Sequence, residues 1–326
     1  MAVRHQARKS LDACSEATKK AIQEFACEHI RAESASFGEL KRLSRSSEYS
    51  AFLSGSDQIW HVAGPYRDPM AFLRFAPREK RIAFAPSFGI SDIPAYDRKE
   101  LGQYIGEYQY LSVREQRGAE VIKDLTGREA EVLVDPTLQL DGDFWRQLSA
   151  QDSDVNKHDS KYIFLYFLSP PSFVALETIK QVKKLFDGDV LAMAIDHEEF
   201  HELEGYQFVD GGPLEYVSLI ANAGLVCTDS LHGTAFSINL SIPFLTFDRQ
   251  YGHYYNQSTR LLSILNICHL DERFIRDVPD TATSLLEMDF TEANRLLDVE
   301  REKALHYLST SLASVDAGVR AVSHGR

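Results

Sequence analysis

Short apolar runs of strand length alternate with amphipathic helical stretches through most of this chain, and no single motif restricts its fold as much. From residue 51 the runs are Ala51-Phe52-Leu53, Ile82-Ala83-Phe84-Ala85, Leu111-Ser112-Val113 and Val132-Leu133-Val134, with helical periodicity near 95–108 and 115–126. Parallel strands need long crossovers, which helices supply, so the pattern predicts a parallel α/β sheet. A second series follows, with strands at 162–168, 190–194, 224–227 and 243–247 and helices at 172–186, 213–222 and 233–240. Between the two series, after a helix at 143–148, residues 150–160 are polar and charged and read as a linker.

The chain has 326 residues, and a prior of one domain per roughly 150 residues agrees with two. The expected division is a Rossmann-like N-terminal domain over 1–150, a Rossmann-like C-terminal domain over 151–290, and a long amphipathic helix and tail over 291–326. Two such domains facing across a cleft are the simplest architecture. Ahead of the first strand, Ala7, Leu11, Cys14, Thr18, Ala21, Ile22, Phe25 and His29 recur at spacings of three and four. This predicts an amphipathic helix without a core of its own, followed by a short helix near 37–43.

No apolar run approaches the roughly 20 residues that span a bilayer. The opening Met1-Ala2-Val3-Arg4-His5-Gln6 lacks the apolar core of a signal peptide, so a cytoplasmic location is expected. Cys14, Cys27, Cys227 and Cys268 show no CxxC spacing and read as reduced, mostly buried thiols rather than a disulfide frame or zinc site. A net charge of −13 argues against nucleic acid, while leaving room for a small anionic substrate in a locally positive pocket.

In open α/β sheets ligands sit beyond the carboxyl ends of the strands, and that rule selects the residues to weigh. Cys227-Thr228-Asp229-Ser230-Leu231-His232-Gly233-Thr234 reads as a strand ending in a turn that opens a helix. A helix start offers backbone N–H groups and the positive end of its dipole to an anion. Ser230 is the expected N-cap, Gly233 would let a ligand approach the backbone, and His232 in the first turn can donate to an anion or move a proton near neutral pH. The competing reading makes Asp229 and Ser230 simple caps and His232 a partly buried polar residue. Ser54-Gly55-Ser56-Asp57-Gln58 follows the first strand; its small residues can turn N–H groups to a ligand, and Asp57 and Gln58 can bind hydroxyls. An Asp/Ser turn leading to a buried Trp60 explains the same residues. Arg114 follows the third strand, where a guanidinium binds a carboxylate or phosphate, or an ion-pair partner instead. Asp135-Pro136-Thr137 suits a structural turn.

Gly55-Ser56-Asp57-Gln58-Ile59-Trp60, Ser112-Val113-Arg114-Glu115, Val134-Asp135-Pro136-Thr137 and Thr228-Asp229-Ser230-Leu231-His232-Gly233-Thr234, in this order and spacing, resemble the polysaccharide pyruvyl transferase family. The resemblance covers roughly residues 50 to 265. It implies a glycosyltransferase-B-like arrangement and transfer of the enolpyruvyl carbons of phosphoenolpyruvate to a sugar hydroxyl of a cell-surface polysaccharide or lipid-linked precursor. A pyruvate ketal is the implied product. On that basis His232 transfers the proton, Arg114 anchors the donor, and Asp57 holds or deprotonates the acceptor. Gly55, Ser56, Gln58, Ser230, Leu231, Gly233 and Arg260 bind substrate, and Asp229 points back from the phosphate. No cofactor or metal is expected, nor an integral membrane segment, though peripheral membrane association is compatible.

The resemblance departs in one place. Family members open with a strand and a small-residue loop like Asn-Tyr-Gly-Ala, whereas here an amphipathic helix comes first and no such loop precedes Gly55. Either the start is absent from this sequence or the first domain is reduced, leaving its sheet short of a strand. Two other readings therefore stand beside the transferase: a nucleotide-sugar glycosyltransferase, and a non-catalytic relative with a reduced first domain.

Overall fold

Side-chain caps start the helices close to where the sequence places them. Ser15 accepts from the Thr18 amide, Ser36 forms a capping box with Glu39, and Asp141, Ser172 and Ser230 accept from the amides of Phe144, Ala175 and Gly233. Each satisfies one of the donors a helix start leaves unpaired. The computed structural model describes residues 14–31, 33–61, 68–150, 161–249 and 258–324. All but Ala150 of the expected linker at 150–160, and the helical positions Ala7 and Leu11, lie outside them.

In chain order the first elements are α1 (Glu16–His29), α2 (Phe37–Leu43), β1 (Phe52–Ser54), β2 (Arg81–Ala83), α3 (Ala95–Gly106), β3 (Ser112–Val113), α4 (Gln116–Thr126), β4 (Glu131–Val132) and α5 (Gly142–Ser149). Then come β5 (Ile163–Tyr166), α6 (Phe173–Leu185), β6 (Val190–Met193), β7 (Tyr206–Phe208), α7 (Pro213–Asn222), β8 (Leu225–Thr228), α8 (Leu231–Asn239), β9 (Phe244–Phe247), α9 (Ser258–Ile267), β10 (Phe274–Ile275) and α10 (Thr291–His324). All of the paired strands run parallel, as the alternation predicts. Strands β7 and β10, of three and two residues at the two sheet edges, escaped the sequence because they are too short to show a period.

The chain divides into two compact units, and their boundaries correct the expected ones. One unit holds Glu33–Gln139 and the chain from Asp298; the other holds α1 and Leu140–Leu297. Thus α1 joins the second unit rather than the first, and most of α10 joins the first rather than standing apart. Thr18 Oγ1 reaches the Asp210 carboxylate at 3.3 Å, while Tyr307 on α10 donates to the Ala83 carbonyl at 2.8 Å. Periodicity marks which helix face is apolar but not which surface it meets.

The first unit pairs β1 with β2 and β3 with β4, and a bridge joins Ile82 to Tyr110. Its core gathers Trp60, Phe72, Phe88, Ile105 and Tyr108, with Trp60 stacked on Phe72 at 5.9 Å between centroids. A fully buried side chain of this size stabilises by about 1.5–3 kcal/mol over its exposed state. Trp60 is therefore a core residue, as the structural alternative held. Ala304, Tyr307 and Val315 of α10 form a further cluster with Ile82, Ala85 and Leu133.

The second unit is a six-stranded sheet in the order β10-β9-β8-β5-β6-β7. Strand order reverses between β5 and β8, which are hydrogen-bonded neighbours, so the switch point of this sheet lies at Tyr166 and Thr228. A ligand crevice is expected outside those two carboxyl ends. Among the described residues no helix is long and apolar enough to cross a membrane. The four cysteines remain thiols, but only Cys227 and Cys268 are buried; Cys14 is half-buried and Cys27 exposed, against the expectation of mostly buried thiols.

Candidate active site

At the switch point, β8 passes into α8 through Asp229 and Ser230. Thr228 sets the geometry: its hydroxyl donates to the Tyr166 carbonyl at 2.6 Å and accepts from the Ser230 amide at 3.0 Å. Ser230 then caps α8, accepting from the Gly233 amide at 3.4 Å, a long contact that ranks as a weak cap. Thr234 ties the first turn to β9 through the Thr246 hydroxyl at 2.7 Å. Every residue of α8 is buried except His232. A helix enclosed on nearly all sides thus presents one accessible side chain, an imidazole, in its first turn.

The neighbouring residues divide into those facing His232 and those used internally. Asp229 does point back: its carboxylate accepts from the Leu168 amide at 2.8 Å and from the Ser169 amide and hydroxyl at 3.1 and 2.7 Å. It also meets Arg249 Nε at 3.3 Å, and Arg249 donates to the Asp229 carbonyl at 3.2 Å. Gly233 corrects its expectation. A Cβ there would stand 2.5 Å from Thr228 Oγ1, so the room at this glycine is taken by close helix–strand packing rather than left for a ligand. Leu231 is buried. Arg260 is buried near the start of α9, which packs against α8.

His232 lines a cavity whose other walls the sequence reading passed over: Tyr166, Met193, Tyr216 and Phe236, with Cys14 just ahead of α1 and Thr18 and Ile22 on it. Burial pushes the Tyr166 hydroxyl up to about 12. The carboxyl-edge rule selects Tyr166, the last residue of β5, and Arg249, two residues past β9. The segment of Cys14 and α1 carries no signal of its place here, because its partners lie some 180 to 190 residues away in sequence.

The first unit assembles a second cluster. Arg114, 5% exposed, is ion-paired through Nη1 to Asp135, 6% exposed, and through Nη2 to Asp57 at 3.1 Å. Burial alone would lower the Arg114 pKa, but Asp135, Glu115 and Asp57 outweigh it and hold the guanidinium charged. One cation faced by three carboxylates is a poor anchor for a multiply charged anion, and the geometry favours the ion-pair reading of Arg114. Asp135 also accepts from the Thr137 amide and hydroxyl, the structural turn expected of it. Ser56 donates inward to the Ala85 carbonyl at 2.6 Å. A Cβ on Gly55, at φ +135°, would collide with the Phe84 carbonyl, so this glycine too serves packing. Gln58 lies against Gly89, where a Cβ would come within 2.8 Å of it. Asp57 keeps 63% of its side chain exposed and is the member of this group most open to a ligand.

The chain is similar to several solved structures at low identity. UDP-N-acetylglucosamine 2-epimerase from Rickettsia bellii is 12% identical, covering 93% of this chain and 89% of that one, with a TM-score of 0.49. HepE from Anabaena, in complex with UDP and glucose, is 13% identical over 88% of each chain at TM-score 0.48. UDP-GlcNAc 2-epimerase from Neisseria meningitidis, bound to UDP-GlcNAc, is 10% identical over 85% of this chain and 84% of that one at TM-score 0.44. No curated protein matches the sequence. The profile described as polysaccharide pyruvyl transferase matches residues 8–251, three quarters of the chain, and spans both the Asp57–Arg114 cluster and the Ser230–His232 helix start: the chain belongs to the polysaccharide pyruvyl transferase family.

Proposed function

We propose that the protein transfers the enolpyruvyl group of phosphoenolpyruvate to a sugar hydroxyl of a cell-surface polysaccharide or its lipid-linked precursor, forming a pyruvate ketal. The observation that carries this reading is His232, the one unburied residue of α8, placed in the first turn beside its Ser230 cap. Ketal formation needs a proton at the methylene carbon of the donor, which becomes a methyl group and leaves positive charge on the adjacent carbon. A sugar hydroxyl oxygen attacks that carbon, and a second hydroxyl closes the ring as the carbon–oxygen bond to phosphate breaks. One hydroxyl proton replaces the proton delivered to carbon, and the other leaves with inorganic phosphate.

In this scheme His232 relays the proton, and the α8 start receives the donor's negative charge. Asp57 holds an acceptor hydroxyl, with Arg114 holding that carboxylate in place through their ion pair. Arg114 becomes a positioning residue for Asp57 rather than the donor's anchor. The scheme needs no cofactor, and the reaction belongs in the cytoplasm, where phosphoenolpyruvate is made.

The test is titration calorimetry of phosphoenolpyruvate against UDP, beside phosphate release with a panel of sugar acceptors. Phosphoenolpyruvate is expected to bind and UDP not to compete; UDP binding with no affinity for phosphoenolpyruvate favours a nucleotide-sugar enzyme. Replacing His232 by Gln should leave donor affinity nearly unchanged and slow turnover about 100- to 10,000-fold, since an imidazole can take up and release a proton and an amide cannot. Unimpaired turnover in His232→Gln would move proton transfer to another residue.

A further inference from the structure

Apart from His232 at one wall, the cavity at the switch point of the second unit has a lining that suits neither partner of the proposed reaction. Its volume is about 280 Å³, near the lower end of ligand pockets at roughly 300 Å³. The rings of Tyr166, Tyr216 and Phe236 form one side; Tyr166 and Tyr216 lie 4.5 Å apart between centroids, and Phe236 meets Tyr216 edge-on at 5.9 Å. Met193, Pro213 and Ile22 add apolar surface. Among the described residues no aspartate, glutamate, lysine or arginine lines it.

The lining's polar groups are few and mostly engaged. Thr18 Oγ1 is 3.3 Å from the Asp210 carboxylate and accepts from the Gly211 amide at the same distance, the pair of contacts that docks α1 on the loop before α7. The Cys14 thiol reaches the Ala194 carbonyl at 3.8 Å. The Tyr216 hydroxyl is buried and has no partner among the described residues, leaving one donor in this wall unused inside the protein.

A phosphate or carboxylate placed among these rings would find no lining lysine or arginine, and only the His232 imidazole at one wall to face it. A pyranose carries a hydroxyl on nearly every carbon, and each one left unpaired costs about 1–3 kcal/mol. A planar uncharged ring meets the opposite conditions: it stacks on tyrosine and phenylalanine faces and asks for one hydrogen bond or none. An apolar cavity of about 150 Å³ is enough for benzene. We propose that this cavity, walled on one side by α1 and on another by His232, is a binding site for a small uncharged aromatic ring, free or carried on a larger ligand.

The proposal does not rest on pyruvyl transfer, and its test uses no phosphoenolpyruvate, so the two fail separately. Saturation-transfer NMR measures the binding of phenol and indole to the full chain, with methyl glucoside as a polar control of similar size. Alkylation of Cys14 by N-ethylmaleimide, in a Cys27→Ser background and read by mass spectrometry, places the ring. Both rings should bind in the millimolar range or tighter and slow Cys14 alkylation in step with occupancy, while methyl glucoside does neither. Ile22 is on the exposed side of α1, where a larger side chain is tolerated, so Ile22→Trp should fill the cavity from its wall and weaken both rings at least tenfold. Ile22→Ala, which enlarges the cavity, should improve indole relative to phenol. No ring binding at solubility-limited concentrations overturns the proposal, as do ring affinities indifferent to both Ile22 variants or protection of Cys14 by methyl glucoside equal to that by the rings.

Discussion

Replacing Arg114 by Met separates the two roles open to this residue, because they put its free energy in different places. The guanidinium is 5% exposed, and its partner Asp135 is 6% exposed. Removing the cation leaves a buried carboxylate uncompensated, a loss of about 3–5 kcal/mol. Set against a typical stability of about 5–15 kcal/mol, this is roughly a fifth or more of what holds a domain folded. With a urea dependence near 2 kcal/mol per molar, the unfolding midpoint of the first unit should fall by about 1.5–2.5 M. Trp60 is buried in that unit's core and Trp145 belongs to the second unit, so a Trp145→Phe background gives fluorescence that follows the first unit alone. Arg114→Met combined with Asp135→Asn removes both charges while keeping an oxygen for the Thr137 amide, and should recover most of the loss. A donor anchor behaves otherwise: Arg114→Met would keep the midpoint and weaken phosphoenolpyruvate binding by the roughly 1.5–3 kcal/mol of a charge-assisted contact. A wild-type midpoint with that binding defect would refute the assignment of Arg114 as a positioning residue.

Gly233→Ala should destabilise the second unit by about 1–3 kcal/mol, since the new Cβ lies 2.5 Å from Thr228 Oγ1 and overpacks a buried strand end; calorimetric unfolding measures it, and wild-type stability would return Gly233 to a ligand role. Glu107 accepts from Arg74 and, at 2.9 Å, from Arg81, and these contacts, Arg74 foremost, hold its pKa below the usual glutamate value. A depressed carboxylate contributes stability that is full above its unfolded value and lost as pH falls through the folded one, so Glu107→Gln should flatten the acid limb of a urea-midpoint series against pH. Amide hydrogen exchange should be faster at β1 than at β5 and β8, because β1 pairs with β2 alone whereas β5 and β8 each have a strand on both sides; equal protection would contradict this.

The sequence by itself determined what depends on neighbours within a few residues. Apolar runs at strand length and helical periodicity placed β5, β8 and β9 to within a residue or two at most ends, and α7 at both ends. Ser230 capped α8 as read, because capping joins residues three apart. The carboxyl-edge rule led to His232 without any fold in hand, and applied to Tyr166 and Arg249 it would have found them too. Tertiary structure decided whatever joins distant segments. An amphipathic pattern specifies the apolar face of α1 but not its seat, and only packing carried Thr18 to Asp210 and Cys14 to Ala194, making α1 a wall of the His232 cavity. Gly233 and Gly55 look from sequence like openings for a ligand, and only the folded chain shows Thr228 and Phe84 occupying the space. Arg114 ends a strand in either reading. Its partners Asp57 and Asp135 lie 57 and 21 residues away, and the choice between ligand anchor and buried ion pair rests on a proximity that local sequence does not encode.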